Sequence, residues 1–159
     1  MRALLIDDEQ SNLDNLQILI ETYCPQVNIC SAAADTRSAT KLLHTHHPDL
    51  VFLDIQMPVQ NGFDWLRSLS HIDFEVIFVT AYDQYAIQAM RLSAIDYLLK
   101  PVSIEELQAA VQRANQQHSL KKENHLLHNL IHFLKNDDKS TEQRIALATT
   151  KRNALCKIQ

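Results

Sequence analysis

The feature that most constrains the fold is a run of four apolar residues, Leu50–Leu53, that leads directly into Asp54. Consecutive apolar residues in so short a segment are typical of a strand that is buried on both faces. Such a strand needs helices on both sides of its sheet, which favours a parallel α/β architecture. Asp54 is then expected where the strand leaves the core, at the carboxyl edge of the sheet.

The same alternation of apolar runs and amphipathic segments extends over the first hundred residues. We predict five strands, at Arg2–Ile6, Val27–Ala32, Leu50–Leu53, Glu75–Thr80 and Ile95–Leu99. After the first strand, Leu13, Leu16 and Ile20 recur at helical spacing, while Asp35 and Ser103 are suited to cap later helices. Five strands that alternate with five helices predict βαβ units and one parallel sheet.

Composition excludes several classes of protein. Gly62 is the only glycine among 159 residues, whereas phosphate-binding loops and dinucleotide fingerprints each need at least two glycines. No run of 18 apolar residues is present, so we predict no membrane span and no membrane partner. The start of the chain lacks the apolar core of a signal peptide, and we expect a cytoplasmic protein whose three cysteines are unpaired thiols.

Charge is distributed unevenly along the chain. The residues up to Val102 include six basic and thirteen acidic side chains, whereas those beyond include nine basic and six acidic ones. The acidic part is therefore a poor surface for nucleic acid, and the basic part is only weakly suggestive of one.

Polar residues follow the predicted strands at the edge where their carboxyl ends meet. Asp7 and Asp8 follow the first strand, Asp54 the third, Thr80 ends the fourth and Lys100 follows the fifth. Three carboxylates at one edge repel one another unless a cation lies among them. Oxygen ligands without nearby histidine or cysteine suit Mg²⁺.

This set of residue types is consistent with a single chemistry. An aspartate beside Mg²⁺ can act as a nucleophile toward phosphorus and form an aspartyl phosphate. The metal and Lys100 would offset the charge of the transferred phosphoryl group. The hydroxyl of Thr80 would then bind one phosphoryl oxygen.

Four motifs in order carry a resemblance to a known family: Asp7–Asp8, "DIQMP" with Gly62 eight positions after Asp54, "TAYDQYA" and "DYLLKP". With these motifs, the chain from Arg2 to Gln117 resembles the receiver domain of bacterial two-component response regulators. The wording of the last two motifs is most similar to LytTR-type (LytR/AlgR) regulators. The resemblance implies a flavodoxin-like (βα)5 doubly wound parallel sheet of strand order 2-1-3-4-5, with an extended C-terminal helix.

The resemblance also implies a role for each site residue. Asp54 matches the phosphoacceptor, and Lys100 matches the lysine that pairs with the phosphoryl group. Asp7, Asp8 and Asp54, with the backbone carbonyl of Gln56, match the ligands of Mg²⁺, for which Mn²⁺ can substitute.

The remaining matched positions surround these residues. Thr80 and Tyr97 match the switch pair, and Gln56 and Tyr82 match two positions that influence the lifetime of the phosphoryl group. Three residues match those that shape the loop after the phosphoacceptor, namely Met57, Pro58 and Gly62. Pro101 is expected to follow a cis peptide bond.

The chain is predicted to comprise a receiver domain (1–117), a helical and polar linker (118–143) and the truncated start of a LytTR DNA-binding domain (144–159). The last segment begins like a strand and turn. In the linker, four leucines form a short heptad-like stripe: Leu120, Leu127, Leu130 and Leu134. Two explanations stay open, a signalling helix that pairs with a second chain and a linker helix that contacts its own or a downstream domain.

The functional prediction is a response regulator in which a sensor histidine kinase phosphorylates Asp54. Phosphorylation is expected to favour a homodimer and to control transcription through DNA binding by the missing downstream domain. One alternative is a receiver that acts through protein–protein contacts without DNA output. Another is a hydrolase with an aspartate nucleophile, but such phosphatases typically carry a second acidic residue at the position of Gln56. We therefore expect no enzyme beyond slow self-catalysed dephosphorylation.

Histidines provide a further candidate site. One cluster contains His44, His46 and His47, and a second contains His125, His128 and His132 at spacings that metal sites use on helices. No acidic or cysteine ligand accompanies either cluster, so solvated helix faces are the favoured interpretation.

Overall fold

The computed structural model describes the backbone of residues 1–155 and the side chains of residues 1–137, 139, 146 and 147. The elements in chain order are β1 (Arg2–Ile6), α1 (Gln10–Tyr23), β2 (Asn28–Ala33), α2 (Thr36–His46), β3 (Leu50–Leu53), α3 (Gly62–Ser68), β4 (Glu75–Thr80), α4 (Ala86–Arg91), β5 (Asp96–Leu99) and α5 (Ile104–Leu155). All strand pairs are parallel, and the sheet order is β2-β1-β3-β4-β5. The predicted fold class and strand order are therefore confirmed.

The sheet separates two hydrophobic cores, because neighbouring side chains on a strand point to opposite faces. On β1, Ala3 and Leu5 pack in one core with residues of α1 and α5. Leu4 and Ile6 pack in the other core with residues of α2, α3 and α4. Helices thus cover both faces of the sheet, which explains why the central strand β3 is apolar at every position.

The central strand β3 is buried along its whole length. Leu50 and Phe52 belong to the core on the α1 and α5 side, and Val51 and Leu53 belong to the opposite core. β3 pairs with β1 on one edge and with β4 on the other. β3 therefore has no exposed edge or face. Its position determines where Asp54, the next residue, lies.

Side-chain caps mark the starts of three helices. The backbone N–H of Ser38 donates to the carboxylate of Asp35 at 2.7 Å, and that of Glu106 donates to the hydroxyl of Ser103 at 3.3 Å. These two contacts confirm the predicted caps. A third cap, in which the side chain of Asn61 starts α3, was not predicted.

Helix α5 is longer than the sequence predicted. The contacts divide the chain into one unit from Met1 to His118 and a second unit that begins at Ser119. The helix continues to Leu155, so the strand expected from Arg144 is wrong for the residues that the structure describes. A strand needs a neighbour to pair with, whereas a segment without proline or glycine can follow its local helix propensity. The remaining residues of the predicted third segment, 156–159, lie outside the described residues.

The second unit exposes a row of large apolar side chains. Seven of them lie within fifteen residues, at Leu120, Leu126, Leu127, Leu130, Ile131, Phe133 and Leu134. Within residues 1–155, no helix has both the length and the apolar character that a bilayer span requires.

Candidate functional site

Backbone hydrogen bonds hold the predicted site residues at the ends of neighbouring strands. The N–H of Asp54 donates to the carbonyl of Ile6 at 2.9 Å, and the N–H of Lys100 donates to the carbonyl of Thr80 at 2.8 Å. The N–H of Asp7 donates to the last residue of β2 at 3.1 Å. Each residue therefore continues the ladder of the parallel sheet, and the expected juxtaposition at the carboxyl edge is present.

Two buried carboxylates share one lysine at this edge. The Nζ of Lys100 lies 2.6 Å from Oδ2 of Asp7 and 3.3 Å from Oδ2 of Asp54. Asp7 and Asp54 are only 5% and 7% exposed, so these contacts are shielded from bulk water. Asp8, which is half-buried, contributes a third carboxylate to the same edge.

The second oxygen of each buried carboxylate accepts hydrogen bonds from nearby donors. Oδ1 of Asp7 accepts from the N–H of Glu9 at 2.9 Å and from the side-chain amide of Asn12 at 3.3 Å. Oδ1 of Asp54 accepts from the N–H of Ile55 at 2.7 Å. The orientation of both carboxylates is thus fixed. Asn12 was missed by the sequence reasoning, although it follows the acidic pair at the start of a helix.

Burial and neighbouring charges shift the pKa values of Asp54 and Lys100. Burial raises the pKa of Asp54, the nearby cation of Lys100 opposes this effect, and the charge of Asp7 adds to it. For Lys100, burial alone would lower the pKa, but the hydrogen bond to Asp7 and the charge of Asp54 outweigh it, and the pKa is raised. Lys100 therefore stays cationic, and three carboxylates face one permanent positive charge.

The donor set fits a hard divalent cation. One oxygen from each of Asp7, Asp8 and Asp54 lies within 4.8 Å of the other two. Carboxylate oxygens are ligands that Mg²⁺ prefers, and a cation would relieve the excess negative charge. No other group of three acidic, histidine or cysteine side chains among the described residues is close enough to share a metal. The histidine clusters accordingly form no metal site of that kind, and a ligand role for the Gln56 carbonyl stays a prediction.

Thr80 carries a polar atom that has no partner within the described part of the chain. The residue is fully buried at the end of β4, and its hydroxyl makes no hydrogen bond. A buried hydroxyl without a partner costs about 1–3 kcal/mol. The backbone carbonyl of Thr80 accepts from the N–H of Lys100, so this residue ends its strand at the same edge as the carboxylates.

Two of the predicted switch and lifetime residues, Tyr97 and Tyr82, belong to an aromatic group near the carboxylates. The hydroxyl of Tyr97 donates to the backbone carbonyl of Tyr82, and burial raises the pKa of Tyr97. Tyr82 is 42% exposed, and its ring meets the ring of Tyr85 edge-on at 6.3 Å. Tyr97 and Tyr82 are therefore in contact with each other, and both lie outside the carboxylate group itself.

Gln56 contacts a residue that the sequence reasoning did not single out. Its Nε2 donates to the hydroxyl of Tyr85 at 2.9 Å. The ring of Tyr85 also packs edge-on against Phe63, with 5.9 Å between the centroids. The only sequence signal was the position of Tyr85 within "TAYDQYA".

The loop after Asp54 depends on the single glycine. A Cβ atom at Gly62 would lie 2.5 Å from the carbonyl oxygen of Asp54, closer than two such atoms can approach. Gly62 therefore allows α3 to start against the end of β3. Met57 is buried in this loop, Pro58 is exposed, and the Lys100–Pro101 peptide bond is cis, as expected.

The site opens into a cleft of about 550 Å³. Residues from four strand ends line it, namely Asp7, Asp8, Asp54, Gln56, Tyr82, Lys100 and Pro101 among others. Asp54 thus lines a cleft that is open to solvent.

Comparisons with known proteins agree with this geometry. Residues 3–112 match the family model of the response regulator receiver domain. The chain is 45% identical over 120 residues to an uncharacterized response regulatory protein of Vibrio cholerae, covering 74% of this chain and 50% of that protein. It is 36% identical over 121 residues to the transcriptional regulatory protein BtsR of Salmonella typhimurium, covering 75% and 50%. Sensory transduction proteins named LytT also match, and the chain resembles regulators of the LytTR type, as predicted.

A solved structure supports the same assignment. The response regulatory domain of mrkE from Klebsiella pneumoniae superposes with a TM-score of 0.68 at 27% identity, covering 76% of this chain and 99% of that domain. The chain spans about half the length of the curated relatives it matches. The fold, the edge of carboxylates with its lysine and the family match together show that the chain belongs to the response regulator receiver domain family.

Proposed function

We propose that this receiver accepts a phosphoryl group on Asp54 from the phosphohistidine of a sensor kinase. The observation that carries the proposal is the buried Asp54 carboxylate with Lys100 Nζ at 3.3 Å, two further carboxylates and an open cleft. When bound by Asp7, Asp8 and Asp54, Mg²⁺ (or Mn²⁺) would supply positive charge that offsets the incoming phosphoryl oxygens.

The chemical step exchanges one phosphorus bond for another. A carboxylate oxygen of Asp54 forms a bond to phosphorus while the P–N bond to the kinase histidine breaks, and the imidazole leaves. Lys100 stays protonated because its pKa is raised, so it can bind a phosphoryl oxygen. The hydrogen bond from Ile55 to Asp54 keeps the carboxylate oriented toward the cleft.

The new charge supplies the driving force for a switch. A phosphoryl group adds a charge of about −1.5 to −2 at neutral pH. The unpartnered hydroxyl of Thr80 can donate to one of its oxygens, and a shift of Thr80 reaches Tyr97 through the loop that contains Tyr82. A change from mostly inactive to mostly active needs about 5.5 kcal/mol of differential stabilisation, toward which these contacts would contribute.

The output in this proposal is dimerisation and transcription control through a LytTR-type DNA-binding domain. The supporting observations are the relative BtsR, named a transcriptional regulator, and a chain that spans half of such relatives. The alternative output, regulation of a partner protein without DNA, is distinguished by the sequence that follows Gln159 in the full gene. A basic DNA-binding domain there supports transcription control, and a stop codon or an enzymatic domain supports the alternative.

The phosphoacceptor is tested with small phosphoryl donors. Wild-type protein with Mg²⁺ and acetyl phosphate should gain the mass of one phosphoryl group, and BeF₃⁻ should bind as its mimic. Asp54→Asn should abolish both responses, because an amide is not a nucleophile. Asp64→Asn, at an exposed position of α3, is the matched control and should behave as wild type. Equal responses from Asp54→Asn and wild type would refute the assignment.

A further inference from the structure

Tyr85 fixes the side chain of Gln56 beside the proposed phosphoacceptor. Gln56 lines the cleft that contains Asp54 and Lys100, and it also lines a neighbouring pocket with Met57, Pro58, Asn61 and Tyr85. Tyr85 belongs to the lining of the neighbouring pocket and not to that of the cleft. The 2.9 Å hydrogen bond from Gln56 Nε2 to the Tyr85 hydroxyl therefore ties an exposed side chain of the cleft to a residue of the neighbouring pocket.

The ring of Tyr85 is held independently of this hydrogen bond. It packs edge-on against Phe63 at 5.9 Å and against Tyr82 at 6.3 Å. Such aromatic pairs stabilise a fixed ring orientation without using the hydroxyl. The hydroxyl is thus a fixed acceptor for Gln56, and its removal leaves the packing of the ring in place.

A glutamine amide near a phosphorylated group has a defined chemical capacity. It can hold a water molecule in position for attack on phosphorus, as glutamines do in phosphoryl-transfer enzymes. In hydrolysis of the aspartyl phosphate, the water oxygen bonds to phosphorus and the bond from phosphorus to the Asp54 oxygen breaks. Inorganic phosphate and the free carboxylate result, and the displaced water proton passes to phosphate or solvent.

We propose that Tyr85 is a positioning residue that lengthens the lifetime of phosphorylated Asp54 by holding the Gln56 amide away from the attacking water. The inference rests on the proposed function, since it requires a phosphoryl group on Asp54. It assigns a regulatory role to Tyr85, and it gives the effect of Gln56 on lifetime a physical cause.

The experiment compares wild type with Tyr85→Phe, Gln56→Ala and the double variant. Each is phosphorylated with acetyl phosphate and Mg²⁺, freed of donor, and followed by intact mass as the phosphoryl group is lost. Tyr85→Phe should speed the loss about two- to tenfold, the equivalent of one hydrogen bond. In the Gln56→Ala background the same substitution should change nothing. Tyr23→Phe, at the far end of α1, is the matched control and should decay as wild type.

Two further readouts separate positioning from a structural role. The thermal midpoint of Tyr85→Phe should stay within a few degrees of wild type, and the side-chain amide signals of Gln56 in NMR spectra should shift. If wild type takes up the phosphoryl group and Tyr85→Phe loses it at the same rate as wild type, the inference is wrong but the proposed function is not. An equal acceleration with and without Gln56 also overturns the inference. Absence of phosphoryl uptake by wild type overturns the proposed function and the inference together.

Discussion

The receiver unit and the helical segment after it use the same apolar residues in opposite ways. In Met1–His118 the largest side chains, such as Trp65, Phe52 and Phe78, are buried almost completely. In the segment after Ser119 the seven large apolar side chains up to Leu134 are 45–68% exposed. Burial in the receiver is decided by contacts within the chain. In the helix, the apolar side chains are not covered by such contacts. Their spacing alone therefore does not show what they bind.

Polar side chains also differ between the two regions: those of the receiver site are buried, and those of the helix are exposed. In the receiver, Asp7 and Asp54 are buried and are compensated by Lys100, so the charges define a site. In the helix, His125 and His132 are exposed and bond to asparagines one turn later, Asn129 and Asn136. Buried charge with a partner therefore indicates chemistry, whereas exposed polar groups at regular spacing indicate a solvated face.

The largest expected difference in stability is between a leucine-to-alanine substitution in the receiver and the same substitution in the helix. Leu53→Ala in β3 should lower the free energy of unfolding by about 2–5 kcal/mol, because Leu53 is fully buried and leaves a cavity. Leu130→Ala in α5 should change it by less than about 0.5 kcal/mol, since Leu130 is exposed. Urea unfolding followed by circular dichroism measures both. A similar loss for the two variants would show that the stripe is packed in solution and would break the comparison.

Adding one methyl group tests how tightly the receiver is filled near its site. Gly62→Ala should destabilise the receiver by about 2–3 kcal/mol, because the new Cβ would overlap the carbonyl oxygen of Asp54. Asn124→Ala, on the exposed surface of α5, is the control and should be neutral or slightly stabilising. The same urea titration applies. Unchanged stability of Gly62→Ala would mean that the loop after Asp54 relaxes freely.

The smallest effect concerns the buried charge. Because burial raises the pKa of Asp54, the folded protein binds this proton more tightly than the unfolded chain, and ionised Asp54 lowers stability at neutral pH. Asp54→Asn should therefore raise the free energy of unfolding at pH 7 in EDTA, since Lys100 keeps its ion pair with Asp7. The gain should fade as the pH drops toward about 3.9, the usual value of an unfolded aspartate.

Asp35 provides the contrast of opposite sign for that measurement. Hydrogen bonds from Ser38 lower the pKa of Asp35, so its ionised form supports stability above the unfolded pKa. That support is lost as the pH falls through the folded value. Asp35→Asn should show no gain at pH 7. A gain for both variants would mean that general acidity, rather than burial, causes the effect at Asp54.

Much of the fold and site could be predicted because their signals are local. Continuous apolar runs identified the strands, and the residues directly after them identified Asp7, Asp54 and Lys100. Tyr85 and Asn12 were missed because their roles depend on contacts across loops, and no periodic pattern marks such contacts. The strand expected from Arg144 was wrong because a strand is defined by its neighbours, and helix propensity decided the backbone there.

The hydrogen bond between Asp7 and Lys100 joins residues 93 positions apart, and this separation has a consequence for synthesis. Asp7 leaves the ribosome early, and Asp54 follows, but neither has its cation until the fifth strand exists. Parallel pairings between distant segments also form late in folding. An unfinished chain thus carries the two carboxylates without the lysine that orients and balances them. The carboxylate site is therefore complete only after the fifth strand and Lys100 have been synthesised.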